Sequence, residues 1–277
     1  METNNLAAGV DVGAKDSAAT ESSRKFKSIE LQSSFLLNSL PKSGTILLRN
    51  ILMHFVGPDA INTTTLQPHD IYEFQQYPDL FPDKKPRGLV AHFPFYPQAV
   101  VFCRSVPNLR MVVQVRHPLD NSYSLARHIS RPEMRDWDKL SEYIVDKGAP
   151  LSEVVFYCLT GLKFAGVEVE GVVDRYTRFL AWRALGARLS KYEDLIQAIR
   201  ELGSATSDQY FAGLLSDFGI GRPGDWEERV AAGSHGDLSW TYTGIHERET
   251  APEIEAAHAA ILRMTAADVL AELGYRV

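Results

Sequence analysis

The sequence is poor in cysteine. Cys103 and Cys158 are the two thiols in 277 residues, and no Cys-x-x-Cys pair occurs. That excludes a disulfide framework or a thiolate metal site. The two thiols read as buried bystanders in a reducing compartment. A surplus of positive charge is also missing: 29 Lys and Arg face 35 Asp and Glu, a formal net charge of −6. Such a balance has no general pull toward nucleic acid or an acidic membrane, so neither is expected as a partner, and any anion site must be local. No apolar run approaches the ~20 residues of a membrane span. The N-terminus carries no charged-then-apolar leader, so the expected location is cytoplasmic. No metal-ligand cluster and no internal repeat is visible, and oligomeric state is not readable.

What is present suits one large α/β domain with a full core, at 45% hydrophobic and 23% charged residues. Residues 1–27 read as a disordered tail, rich in Ala, Ser, Asn and Thr, and residues 28–277 as the domain. Apolar strands are expected at Phe35–Leu40, Gly88–Pro94, Leu109–Val115 and Gly186–Tyr192, alternating with helices. That alternation predicts a parallel sheet with helices on both faces. The first helix is expected from about Thr45 to Phe55, and another opens at Pro118. Residues Arg131 to about Leu185 read as mainly helical. Asp208–Phe218 reads as a helix, and so does Ala251 to about Leu273 with a break near Thr265. Gly233–Gly244 reads as a loop. The Pro- and aromatic-rich stretch Asp59–Arg87 and the segment Arg131–Gly148 are expected to shape a substrate pocket.

The informative stretch is Phe35-Leu36-Leu37-Asn38-Ser39-Leu40-Pro41-Lys42-Ser43-Gly44-Thr45. An apolar strand stops at a short loop, and Leu47, Leu48, Ile51, Leu52 and Phe55 then recur at helical spacing. Strand, tight loop and helix N-terminus leave backbone N–H groups aimed at an anion. Gly44 lets that backbone come close, Lys42 adds charge, and Ser43 and Thr45 add hydroxyls. This is a phosphate cradle of P-loop-like build. It is not the nucleotide-hydrolase loop, whose Lys follows the second Gly, and the G-x-G-x-x-G pattern is absent from this turn.

Pro41-Lys42-Ser43-Gly44-Thr45 resembles the 5′-phosphosulfate loop of the cytosolic-type sulfotransferases, which use 3′-phosphoadenosine 5′-phosphosulfate (PAPS). The resemblance implies the sulfotransferase fold. It implies that Lys42 supports the leaving oxygen, and that Ser43, Gly44, Thr45, Ile46 and Leu47 hold the 5′-phosphate. Leu47 stands where the family has Trp. Arg116, after the third strand, and Ser124, eight residues on, match the family's Arg and Ser that hold the 3′-phosphate. A guanidinium forks onto phosphate, and ligands of open α/β sheets sit at the carboxyl ends of strands.

His92 in Ala91-His92-Phe93-Pro94 resembles the family's catalytic base, with Val90 in place of its Lys. His54, His69, His117 and His128 are rival histidines, and His117 is expected beside the nucleotide. Lys191-Tyr192-Glu193-Asp194 resembles the segment whose Tyr lies near adenine. Gly233-Ser234-His235-Gly236-Asp237 keeps the frame of the 3′-phosphate loop. The family's basic pair is replaced there by Ala231 and Ala232. Gly233 and Ser234 are expected to offer backbone N–H groups, with Arg229 a possible substitute cation. The implied activity is sulfuryl transfer from PAPS to a hydroxyl or amine of a small-molecule acceptor, without metal, leaving 3′-phosphoadenosine 5′-phosphate (PAP). Two alternatives stand beside it: a sulfotransferase-fold nucleotide-binding protein without catalysis, and an atypical P-loop kinase.

Overall fold

Four strands carry the fold: β1 (Phe35–Ser39), β2 (Gly88–Ala91), β3 (Arg110–Val115) and, late in the chain, β6 (Arg188–Lys191). They form one sheet of order β2-β1-β3-β6 with every pair parallel. The computed structural model describes residues 20–62, 65–67, 85–136, 139–164, 167–234 and 250–276. The expected α/β class is what is found.

β1 is buried at all five positions because side chains on both pleat faces meet a core. Leu36, Leu89 and Val113 join one apolar cluster, while Phe35, Leu37, Val90 and Val112 join the other. The first cluster is covered by α2 (Pro97–Ser105), α3 (Pro118–Ile129), α4 (Lys139–Lys147), α5 (Leu151–Thr160), α6 (Val172–Leu180), α10 (Pro252–Thr265) and α11 (Ala267–Glu272). The second is covered by α1 (Thr45–Val56), α7 (Tyr192–Arg200), α8 (Ala205–Phe218) and α9 (Trp226–Gly233). Phe35 meets Phe218 edge-on, with ring centroids 5.0 Å apart, which ties β1 to α8.

The register brings the strand ends level: Ser39 lies opposite Gln114, Asn38 opposite Ala91, and Val115 opposite Lys191. From β1 the chain runs through α1 to β2 on one side, then returns across β1 to β3 on the other. The connections therefore change direction between β1 and β3, the place where open parallel sheets leave a crevice.

Three expectations change. The stretch read as mainly helical between Arg131 and Leu185 contains an antiparallel hairpin, β4 (Leu162–Phe164) with β5 (Val167–Val169). Leu162 continues the helical spacing of Val155, Cys158 and Leu159, but Gly161 ends α5, its N–H donating to the Tyr157 carbonyl. Second, residues 20–27, read as tail, pack onto the domain. Ser22 Oγ lies 3.2 Å from His54 Nε2, Ser23 is buried, and Phe26 meets the His54 ring edge-on. Third, Gly233 is not in a loop but is the last residue of α9. The break in the last helix falls at Ala266, beside the expected Thr265. Cys103 and Cys158 are buried and free, and burial pushes their thiols up to about 12 and about 11. No described helix is long and apolar enough to cross a membrane.

Candidate functional site

The loop after β1 is shaped by its glycine and braced from below. Gly44 takes φ +83°, and a Cβ on it would stand 2.4 Å from the Tyr192 ring. Only glycine fits a left-handed turn pressed against that ring. Lys42 also has a left-handed backbone, φ 67°, which costs a non-glycine residue roughly 1–3 kcal/mol. Two amides offset that strain. Gln114 Nε2 donates to the Ser43 carbonyl at 3.1 Å, and Asn121 Nδ2 donates to the Pro41 carbonyl at 2.7 Å and Ser43 Oγ at 3.3 Å. The loop is therefore held by β3, which Arg116 follows, and by α3, which carries Ser124.

α1 starts at Thr45 with no side-chain cap on its first turn. The N–H groups of Thr45, Ile46 and Leu47 have no intrahelical acceptor and remain for an anion. Ser43 differs from expectation: its N–H donates to the Leu40 carbonyl at 3.1 Å, so it is already used inside the loop.

His92 leaves β2 at the same edge. Its Nδ1 lies 2.6 Å from the Ser39 carbonyl oxygen and 3.2 Å from Ser39 Oγ. A carbonyl can only accept, so Nδ1 carries the proton and Nε2 is left with a lone pair. Ser39 Oγ also shares a hydrogen bond with Thr45 Oγ1, 2.6 Å away, in which either hydroxyl can donate. Neighbouring backbone is fixed equally firmly. The Asn38 side chain donates to the Phe93 carbonyl (2.9 Å) and accepts from the Phe93 N–H (2.8 Å), and Trp182 Nε1 donates to the same carbonyl (2.7 Å). Burial, opposed by the Ser39 carbonyl and aided by the Lys42 charge, brings the imidazole down to about 4. It is neutral at pH 7 and can accept a proton.

Arg116 follows β3. Its guanidinium carbon lies 4.6 Å from the centre of the Tyr192 ring, and its buried Nε has no hydrogen-bond partner among the described residues. Its backbone is held where the side chain must start: Tyr176 donates to the Arg116 carbonyl (2.7 Å), and the next N–H, of His117, donates to Glu193 (2.7 Å). Tyr192 thus stands between the loop and Arg116, touching the Gly44 position on one side and the guanidinium on the other. Burial and the charges of Arg131 and Arg116 draw the Lys42 ammonium down to about 8. Arg116 and Lys42 therefore share one region. Ser124 lies one helical turn beyond Asn121, on the α3 face that meets the loop, and its hydroxyl bonds to no described residue.

Gly233 and Ser234 do other work. A Cβ on Gly233 would stand 2.6 Å from Ile51 Cα and 2.9 Å from the Asn50 carbonyl, so this glycine lets α9 close onto α1. The Ser234 N–H donates to the Val230 and Ala231 carbonyls. Neither offers the open N–H expected of it. Arg229 is buried, paired with Asp225 and donating to the His54 carbonyl at 2.7 Å, and is no free cation. The remainder of that segment, His235 to Asp237, lies outside the described residues, as does His69. Of the rival histidines, His54 is buried in α1 and bonded to the Asn50 carbonyl, and His117 rests against Tyr275 at 4.7 Å.

Sequence reasoning missed several contributors. Asn38 and Ser39 hold the backbone beside His92 and its ring, and Gln114 and Asn121 hold the Lys42 loop. Asn121 was findable, three residues before Ser124 on one helix face. Arg131 follows the end of α3, and its charge bears on Lys42.

The orphaned Arg116 Nε and the cradle that a Gly44 Cβ would fill suit an anionic ligand running from the α1 N-terminus to Arg116. Among the described residues no His, Cys, Asp and Glu cluster could hold a metal ion. No family model matches the chain, and no curated protein matches it. Among solved structures it is similar to mouse sulfotransferase SULT7A1 complexed with PAP, with TM-score 0.55, 14% identity, and 91% of each chain covered. That likeness is one of fold: a parallel α/β sheet flanked by helices.

Proposed function

We propose that this protein is a PAPS-dependent sulfotransferase acting on a small-molecule acceptor. The observation that carries the reading is the meeting of Lys42, Gly44, Tyr192 and Arg116 at one sheet crevice. The solved structure it resembles across the whole fold was determined with PAP, which supports a ligand of that class.

PAPS, when bound, supplies a sulfuryl group whose bond to the 5′-phosphate oxygen breaks as a bond to the acceptor oxygen or nitrogen forms. The chain's residues divide the remaining work. Arg116 and Ser124 hold the 3′-phosphate, the guanidinium supplying charge-assisted bonds. The N–H groups of Thr45, Ile46 and Leu47, with the Thr45 hydroxyl, hold the 5′-phosphate. Gly44 is part of the cradle by leaving room, and Ser43 by bracing it. Tyr192 supports Arg116 and flanks the adenosine. His92 Nε2 takes the acceptor's proton, while Ser39 keeps the tautomer that makes this possible. Lys42 neutralises the departing oxygen. Positioning and neutralisation of spread charge are what such a transfer needs, and a metal is not required when Lys and Arg supply the charge.

A second reading keeps the nucleotide site but not the chemistry, and Ala231, Ala232 and Val90 favour it by removing three family cations. The separating experiment is transfer of label from PAPS to a panel of hydroxyl and amine acceptors, by wild type and His92→Ala. Labelled product from wild type and its loss in the variant, with PAP binding intact in both, support the transferase. PAP binding with no product from any acceptor supports the second reading. A cytoplasmic location belongs to the same proposal.

A further inference from the structure

Arg116 is steadied through one peptide unit, and the end of the last helix supplies part of its support. The carbonyl of the Arg116–His117 peptide accepts from the Tyr176 hydroxyl at 2.7 Å, and the N–H of the same peptide donates to Glu193 Oε1 at 2.7 Å. With both ends bonded, that peptide cannot turn without losing a hydrogen bond, so the backbone from which the guanidinium starts is fixed. Glu193 directly follows Tyr192, in the first turn of α7. Its carboxylate therefore ties together the two backbones whose side chains meet where Arg116 lies over the Tyr192 ring.

The second oxygen of that carboxylate is held by a residue distant in sequence. The Tyr275 hydroxyl donates to Glu193 Oε2 at 2.7 Å. Its approach is set by the way α11 ends. The Gly274 N–H donates to the Ala271 carbonyl and the Tyr275 N–H to the Leu270 carbonyl. This pair of bonds is a Schellman turn, which reverses the chain after a helix. The Tyr275 ring is then held on two sides. The His117 ring meets it edge-on, with centroids 4.7 Å apart, and the Lys191 ammonium stands 4.7 Å from its centre. Burial and the Glu193 carboxylate push the phenol's pKa up, so it remains a donor. A phenylalanine ring could make both of those packing contacts. What it would lack is the hydroxyl, and the hydroxyl is bonded to Glu193.

We infer that Tyr275 is a positioning residue for the nucleotide site. Through Glu193 it holds the Arg116–His117 peptide and the Tyr192 backbone, and so it sets the preference for an adenosine nucleotide that carries a 3′-phosphate. The role rests on the nucleotide reading above and deepens it, with Tyr275 acting through Glu193 rather than on the ligand.

Calorimetric titration with PAP and with adenosine 5′-phosphate tests this role in wild type, Tyr275→Phe, Arg116→Ala and the Tyr275→Phe/Arg116→Ala double variant. Tyr275→Phe keeps the ring and removes one hydrogen bond. It should weaken PAP about threefold to tenfold, the scale of one hydrogen bond felt through a second residue, and leave adenosine 5′-phosphate unchanged. In the Arg116→Ala background the same change should cost PAP nothing further, because the group it positions is gone. A merely structural tyrosine would weaken both nucleotides alike, or add its loss to that of Arg116→Ala, and either result overturns the proposal. If wild type prefers PAP and Tyr275→Phe binds it equally well, the nucleotide reading stands and the Tyr275 role alone falls. If wild type takes no PAP, both fall. Should Tyr275→Phe fail to fold, Glu193→Gln, whose amide nitrogen cannot accept from either donor, should show the same selective loss of PAP. Failure of both variants to fold overturns the role, because the contact then serves the fold.

Discussion

The base role proposed for His92 depends on one backbone atom. The Ser39 carbonyl accepts a hydrogen bond from Nδ1–H, and burial keeps the ring neutral, so Nε2 is an acceptor across the physiological range. Replacing His92 by Ala should lower turnover by ~10²–10⁴-fold with PAP affinity nearly unchanged, as measured by labelled transfer and calorimetry. The pH profile follows from the two shifted groups. The base works when deprotonated, so kcat/KM should rise through about pH 4, where His92 loses its proton. Lys42 works when protonated, so the same quantity should fall as pH rises through about 8. An acid limb near the ordinary histidine value of about 6.5 would contradict the environment assigned to His92. Arg116→Ala should weaken PAP about tenfold to a hundredfold, the loss expected for charge-assisted bonds. Adenosine 5′-phosphosulfate, which lacks the 3′-phosphate, should be nearly unaffected, and equal losses for both ligands would reject the 3′-phosphate role.

At the scale of elements, two glycines do opposite kinds of work. Gly44 makes the cradle, and Gly44→Ala would press a Cβ into the Tyr192 ring from a strained backbone, so PAP binding should be lost in a protein that still folds. Gly233 makes packing, and Gly233→Ala would push α9 off the α1 backbone. Overpacking of that kind costs roughly 1–3 kcal/mol, readable in denaturant unfolding, with PAP affinity little changed in the folded fraction. An equal loss of PAP binding in both variants would return Gly233 to the nucleotide site. The contrast shows what a sequence makes legible. Local chemistry was: an apolar strand, a glycine and a Lys before it announced the β1–α1 loop. Partners distant in sequence were not. Nothing in Ala231-Ala232-Gly233 says that its glycine is needed by Ile51, or that Arg229 is committed to Asp225 and the His54 carbonyl. The hairpin at Leu162–Val169 escaped for a related reason, since its apolar residues continue a helical period and only pairing distinguishes them.

At the scale of the molecule, the site is a product of strand order. Because β1 pairs with β2 on one side and β3 on the other, the groups that follow all three strands face one edge. His92, the Lys42 loop and Arg116 are far apart in sequence and close in space for that reason alone. Cations from the chain stand where a kinase would need a metal, so transfer activity should survive an excess of chelator, whereas loss of activity restored by Mg²⁺ would favour the kinase alternative. The central claim is that one adenosine ligand with phosphates at both ends bridges the loop and Arg116. Calorimetric titration of wild type with PAP and with adenosine 5′-phosphate tests it most directly. The account predicts saturable one-to-one binding of PAP, about tenfold or more tighter than the monophosphate. Absence of PAP binding, or equal affinity for the two nucleotides, would contradict it.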